Sequence, residues 1–339
     1  CFRKIRDGNK SKTIYVSMKR MKMKANDIIK NKQMLWALSL VFLLFSCGND
    51  DGTSNDIKAS TPLMQQIVSH SQHITSVEKD VSYALTDGIQ ITDASFTYYS
   101  KPTHMLIAEI DLTKSVTLAT STPDDKPSMG GLQQVTVQAA KAEEGGKKVY
   151  LGINGDVYGF YSGKENGYVS AGVFYKDGKA IKDVAADGFK NVFCIQKDGS
   201  VQICSFDEFQ SIKDNTMQAL GGWDRLIANG KAVEYSINDN NMSFHPRTFM
   251  GVDEDCRKVL LFVIDGRQPG YSNGMRMEDM IYVCQGAGCH NAMNLDGGGS
   301  TTMVYRVEQG NKATFEIMNK PSDNPARSVA NGLLVVEKK

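Results

Sequence analysis

Three apolar runs in this chain end in the same way. Val149–Ile153 leads into Asn154-Gly155-Asp156, Val259–Ile264 into Asp265-Gly266-Arg267, and Ala292–Leu295 into Asp296-Gly297-Gly298-Gly299-Ser300. A carboxylate or amide followed by glycine at the exit of a buried strand sets a polar side chain at the sheet rim, beside backbone that a ligand can approach closely. Any one of these pairs also reads as an ordinary turn, but three that converge would make a site. The triple glycine is harder to read as a turn, because three successive glycines lose much conformational freedom on folding. One reason to keep them is a run of backbone N–H groups aimed at a single anion. No lysine follows and the next segment reads as strand, so this is not a Walker-type loop.

Arginines supply the matching charge. Arg247 lies in His245-Pro246-Arg247-Thr248, Arg267 two residues after Asp265, and Arg327 just before the closing strand. A guanidinium fork fits phosphate oxygens two at a time, although each arginine alone reads equally well as a surface salt bridge. His245 titrates near neutral pH and is a candidate proton donor, or else a structural histidine before a proline. Asp265 and Asp296 form the carboxylate pair that cleavage at an anomeric carbon needs, one protonating the leaving oxygen while the other assists or attacks. Trp223, within Gly221-Gly222-Trp223-Asp224, either stacks on a sugar face or fills core. No Cys/His spacing suits a metal and no metal is expected, with Ca²⁺ or Mg²⁺ on the aspartates kept as the alternative for a metal-dependent phosphodiesterase.

The elements that must hold these residues are mostly strands. From Val81 to Thr120 the sequence alternates in two-residue steps, and Asp177-Gly178, Asp198-Gly199 and Asn229-Gly230 mark hairpins between β-rich segments. Gly131–Glu144 carries Leu132, Val135, Ala139 and Ala142 at helical spacing, and Met277–Gly286 is the second good helix. A short helix over 61–72, capped by Thr61 with Leu63, Ile67 and His70 on one side, is expected as a packing appendage. The fold expected is α+β, a single domain of mostly antiparallel or mixed β-sheet with a few packed helices.

The net charge of +1 hides an asymmetry: residues 1–46 carry eleven Lys/Arg against two Asp, and the remainder is acidic. That acidic body argues against nucleic acid as a partner. The basic stretch Lys19–Lys32 and the apolar run Leu35–Phe45 fit a secretory signal peptide, with Met18, Met21, Met23 and Met34 as candidate starts. The run is too short to cross a bilayer of roughly 30 Å as a helix. Leu44-Phe45-Ser46-Cys47 resembles a bacterial lipobox, which makes Cys47 the lipidation site and the acidic stretch after it a tether. The expected organisation is a leader over 1–46, lipidated Cys and tether over 47–60, a helical appendage over 61–80 and the main domain over 81–339. The expected location is the bacterial cell envelope, as an outer-membrane or surface lipoprotein held to the membrane by that lipid only. Five cysteines remain beyond Cys47, so an odd thiol is left over.

Asn154-Gly155, His245–Thr248, Asp265–Ser272, Asn294–Met303, Asn319–Asp323 and Arg327–Asn331, in that order and spacing, resemble the phosphodiester glycosidase family. The resemblance covers about residues 130 to 337. It implies cleavage of the bond between a sugar's anomeric carbon and a phosphodiester, in a phosphate-linked glycan and without a cofactor. It also implies that Asn154, Arg247, Asp265, Arg267, Asn294, Asp296 and the Gly297–Gly299 loop surround the site. Thr248, Ser300 and Arg327 fall in the same blocks and join the substrate-binding set. Asp296 is expected to act at the anomeric centre, with Asp265 the runner-up and Glu278 a supporting candidate. Where the family continues Asn-Gly with a small residue and two aromatics, this chain has Asp156-Val157-Tyr158, so Asp156 adds a carboxylate or reshapes the sugar pocket. The competing function is a surface carbohydrate-binding lipoprotein without turnover.

Overall fold

The alternating segment becomes four strands, Ile74–Thr86, Ile89–Tyr98, Lys101–Asp111 and Val116–Ser121, in a computed structural model that describes residues 57–160, 168–235, 237–310 and 312–338. The leader, Cys47 and most of the tether lie outside these residues. All three hairpin signals sit between paired strands, and every ladder among the described residues is antiparallel. The fold is α+β.

An eight-stranded sheet runs from Ile74–Thr86 at one edge through Lys101–Asp111, Lys258–Ile264, Arg247–Val252 and Asn291–Asn294 to Arg225–Ala228 and Lys231–Ala232. A five-stranded sheet centres on Val149–Asn154, between Met303–Gln309 and Gly332–Glu337. A second five-stranded sheet holds Asn191–Gln196, Val201–Ser205 and Thr216–Gly222. One apolar cluster joins all three, with Leu106, Leu261 and Val263 from the first, Leu151, Ile153 and Leu333 from the second, and Phe193 and Leu220 from the third.

The helices cover outer faces. Met277–Gly286 packs with Pro62–His70 over the eight-stranded sheet, where Phe249 and Phe262 stack at 4.5 Å. The stripe expected on the first helix is corrected: Met64 and Ile67 are buried while His70 is exposed. Burying one such side chain contributes about 2 kcal/mol, and Thr61 caps the helix as expected by accepting from the Met64 N–H. Val135–Glu144 starts later than its apolar spacing suggested and buries Val135, Ala139 and Ala142 against the sheet of Val149–Asn154. The five cysteines among the described residues are free thiols.

Register decides where the site forms. Arg247 pairs with Ile264 and Phe249 with Asn294, so the exit of Lys258–Ile264, the entry of Arg247–Val252 and the exit of Asn291–Asn294 lie on one edge. From there the chain crosses through Asp296–Thr302 into Met303–Gln309 of the other sheet, whose neighbour Val149–Asn154 ends at the same place, with Met303 opposite Ile153. The three strand exits picked out by sequence therefore converge.

Candidate active site

Asn154 pins the crossing. It is fully buried; its Nδ2 donates to the Asp296 carbonyl (2.7 Å), and its Oδ1 accepts from Thr248 Oγ1 (2.8 Å) and the Thr302 N–H (3.1 Å). The Asp296 N–H donates in turn to the Gly155 carbonyl at 3.0 Å. An amide at position 154 thus holds three segments in register, and Thr248 serves it rather than standing free. Because both groups are buried with their partners, losing either leaves polar atoms unsatisfied.

Two carboxylates, Asp156 and Asp296, flank this crossing, and the charge of the second acts on the first. Asp156 is 2 % exposed, and burial pushes its pKa up to about 6, with the nearby Asp296 carboxylate adding to the rise. Its Oδ2 accepts from Ser170 Oγ (2.5 Å) and the Gly172 N–H (2.6 Å), which oppose the rise, while Oδ1 has no partner among the described residues. Burial also pushes Asp296 up to about 6, against the pull of the Ser300 hydroxyl, the Arg327 guanidinium and the Gly297 N–H. Ser300 Oγ favours the Asp296 charge by proximity but makes no hydrogen bond of ordinary geometry.

Asp265 does something else. Its buried carboxylate accepts from Asn319 Nδ2 (2.8 Å), Tyr271 OH (2.9 Å) and the Lys320 N–H (3.0 Å), and Oδ2 lies 2.9 Å from His104 Nδ1. His104 Nε2 reaches Asp93 at 3.1 Å. Burial lowers the His104 pKa, but its contacts with Asp265 and Asp93 outweigh that and hold it above the usual value. An acid with this many protein partners ties the Arg267 hairpin to the Asn319-Lys320 segment.

The basic groups gather around the glycine run. Gly298 has φ +61°, and a side-chain carbon there would stand 3.1 Å from Arg267 Nη2. At Gly299 it would collide with the Arg327 guanidinium and the Asp323 carboxylate, so a side chain there would push this ion pair away from the turn. Arg327 Nε also donates to Asp323 at 2.8 Å, so its salt bridge and its place beside Asp296 coexist. Arg247 is 4 % exposed and donates to the carbonyls of Met275 (3.0 Å), Asn240 (2.8 Å) and Ser243 (3.2 Å). Burial lowers its pKa to about 10, with Arg267 adding to the fall and Asp224 opposing it.

The anion nest expected of the glycines is only partly free. The Gly298 N–H donates to the Pro246 carbonyl at 2.9 Å, and those of Ser300 and Thr301 turn back on the run. The Gly299 N–H is left without a protein acceptor among the described residues. His245, 3.5 Å from Arg267 through Nδ1, has its pKa lowered by burial and by the charges of Arg247 and Arg267. Its imidazole is therefore neutral at pH 7, which argues against the proton-donor role.

Two contributors escaped the sequence reading. Asn331 Oδ1 accepts from the Asp156 N–H at 2.7 Å, and its carbonyl accepts from Gly155. It stood in a recognised block, but nothing in its type announced contact with residue 156. Asp224 carries a half-buried carboxylate whose pKa is raised by burial and opposed by Arg247. Asn294 backs both strands through its main chain, and its Oδ1 is buried without a partner. Among the described residues no group of three or more His, Cys, Asp or Glu gathers in metal-binding fashion.

Comparison with curated sequences gives no significant match. Among solved structures, the catalytic domain of zebrafish N-acetylglucosamine-1-phosphodiester alpha-N-acetylglucosaminidase, auto-inhibited by its pro-peptide, superposes with TM-score 0.55 at 22% identity, over 80% of this chain and 91% of that one. A hypothetical protein from Synechocystis matches with TM-score 0.55 at 11% identity, over 77% and 64% of the two chains. A putative exported protein from Burkholderia pseudomallei matches with TM-score 0.51 at 15% identity, over 70% and 74%. These likenesses establish a shared fold. The phosphodiester glycosidase family model matches residues 147–336, which include the Asn154 pin, both carboxylates and all three arginines. With more than half of its residues in that match, the chain is a glycosidase-type enzyme of the phosphodiester glycosidase family.

Proposed function

We propose that the protein hydrolyses the bond between a sugar's anomeric carbon and a phosphodiester, releasing free sugar and a phosphate monoester. One observation carries the reading: two carboxylates, Asp156 and Asp296, both with pKa values pushed up to about 6 by burial, flank a crossing whose glycine turn is met by Arg267 and Arg327. In this reading Asp296 is the ionised partner, and its charge adds to the rise of Asp156. It is then the base that takes a proton from water as the water oxygen bonds to the anomeric carbon. The carbon–oxygen bond to phosphorus breaks, and the phosphate oxygen leaves with the electron pair and receives the proton held by Asp156. Arg267, Arg327 and the Gly299 N–H face the charge that develops on the phosphate. Arg247 and Asn294 support that rim, and Asp265 positions the Arg267 hairpin. Phosphate is already a fair leaving group, so charge stabilisation matters more here than strong acid catalysis. Incubation with the phenyl phosphodiester of N-acetylglucosamine 1-phosphate should release the free sugar. Cleavage of phenol from phosphorus instead would reverse the assignment.

The substrate in this reading is a phosphate-linked glycan outside the cytoplasm, with no metal or other cofactor required. The basic and apolar leader followed by Cys47 supports an envelope lipoprotein anchored by acyl chains alone. Cells fed labelled palmitate should label the chain, and Cys47→Ser should abolish the label and free the protein from the membrane fraction.

A further inference from the structure

Trp223 was left between stacking on a sugar and filling the core. Among the described residues it packs into no part of the apolar core. It is half-buried, as is Phe189, and the two rings pack on each other with centroids 5.5 Å apart and planes at 34°. Its peptide groups are fixed on both sides, the N–H donating to the Asn294 carbonyl (2.9 Å) and the carbonyl accepting from Asn191 Nδ2. The backbone is rigid while the ring stays partly open, which is how a stacking surface is built and not how a core residue is held.

The backbone that carries this pair runs beside Asp156. The Phe189 carbonyl and Asp156 Oδ2 lie 3.3 and 3.1 Å from the point a side-chain carbon at Gly172 would occupy. A side-chain carbon at Gly221, two residues before Trp223, would lie 2.9 Å from the same carboxylate oxygen. The next residue, Asp224, has a carboxylate that accepts no hydrogen bond among the described residues and has Arg247 as its charged neighbour. Arg267 and Arg327 stand at Gly298 and Gly299, while the other side carries the Asp224 and Asp296 carboxylates, with Arg247 acting on Asp224 and Lys182 on Asp156.

Resting on the proposed reaction, we propose that Trp223 and Asp224 form its sugar subsite. Trp223, braced by Phe189, stacks on the C–H face of a pyranose, and Asp224 accepts a hydrogen bond from a sugar hydroxyl. The carboxylates on this side make the subsite selective for a neutral sugar and repel a ring bearing its own carboxylate.

The chain has two tryptophans, Trp36 and Trp223, so full-length protein carrying Trp36→Phe reports on Trp223 by emission alone. N-acetylglucosamine should shift that emission saturably, and glucuronic acid should not at the same concentration. With the phenyl phosphodiesters of the two sugar 1-phosphates, Trp223→Ala should raise KM for the neutral ester about tenfold with kcat changed less than about threefold. Trp223→Phe should recover most of that loss, and Asp224→Asn should narrow the preference for the neutral ester. Unchanged emission, or an unchanged KM in Trp223→Ala, overturns the subsite. If the parent protein hydrolyses neither ester, the reaction has failed and the emission titration still judges the platform. If it hydrolyses the neutral ester and Trp223→Ala keeps its KM, the platform falls and the reaction stands.

Discussion

Asp296→Asn should lower kcat for a sugar-1-phosphodiester by about a thousandfold at pH 7, within the range of about 10² to 10⁴ that a positioned acid or base contributes. The substitution preserves shape and removes the charge. The links that hold residue 296 in place are main-chain ones, its N–H to Gly155 and its carbonyl to Asn154 Nδ2, and asparagine keeps both. Circular dichroism and the unfolding midpoint should therefore stay close to those of the parent while turnover collapses. A variant that keeps more than about a tenth of the rate would remove Asp296 from the chemistry and leave its carboxylate as a partner of Arg327. The size of the expected effect follows from burial: in a site dry enough to lift the pKa to about 6, the carboxylate is a far better base at neutral pH than one at the ordinary value. An amide at the same place has no basicity to lift.

Much of this site was legible because its parts are local. Asn154, Asp265 and Asp296 each follow an apolar run and precede a glycine, and a strand exit is visible in sequence as a change of period followed by a turn residue. The glycine run announced a close approach, and Arg267 and Arg327 supply it. What sequence did not contain is the partnering. Asp265 and Asp156 look equally free as text, and only the fold brings Asn319, Tyr271, Lys320 and His104 to the first while leaving Oδ1 of the second unpartnered. The distinction depends on contacts up to 161 residues apart in the chain. For His245 the neighbouring Arg247 is visible in the sequence, but the burial that chiefly lowers its pKa and the approach of Arg267 are set by the fold. Helix limits moved where neighbours decided them, as with the buried Met64 of Pro62–His70.

Asp156→Asn should reshape the pH dependence of both activity and stability, in opposite senses. With Asp296 ionising before Asp156, the parent should give a bell-shaped kcat profile, falling at low pH as Asp296 gains a proton and at high pH as Asp156 loses one, both limbs near pH 6. The variant should keep the acid limb and lose the alkaline one, with a peak rate about tenfold lower because phosphate leaves without much help. For stability the sign follows from a pKa of about 6 in the folded chain against 3.8 for an unperturbed aspartate. An acid raised by folding favours the folded state fully only below its unfolded value, and that advantage is lost as pH rises through about 6. At pH 8 the parent must hold Asp156 ionised with burial opposing the charge, a handicap of at most about 3 kcal/mol for a rise of this size. Asparagine keeps an acceptor for Ser170 Oγ and the Gly172 N–H and carries no charge, so Asp156→Asn should unfold at a higher denaturant concentration than the parent at pH 8 and show no such gain at pH 4. Denaturant titrations at the two pH values decide the matter. Equal stability at pH 8 would mean that Asp156 is solvated enough to ionise freely, and an acid that ionises freely cannot hold a proton for the leaving phosphate.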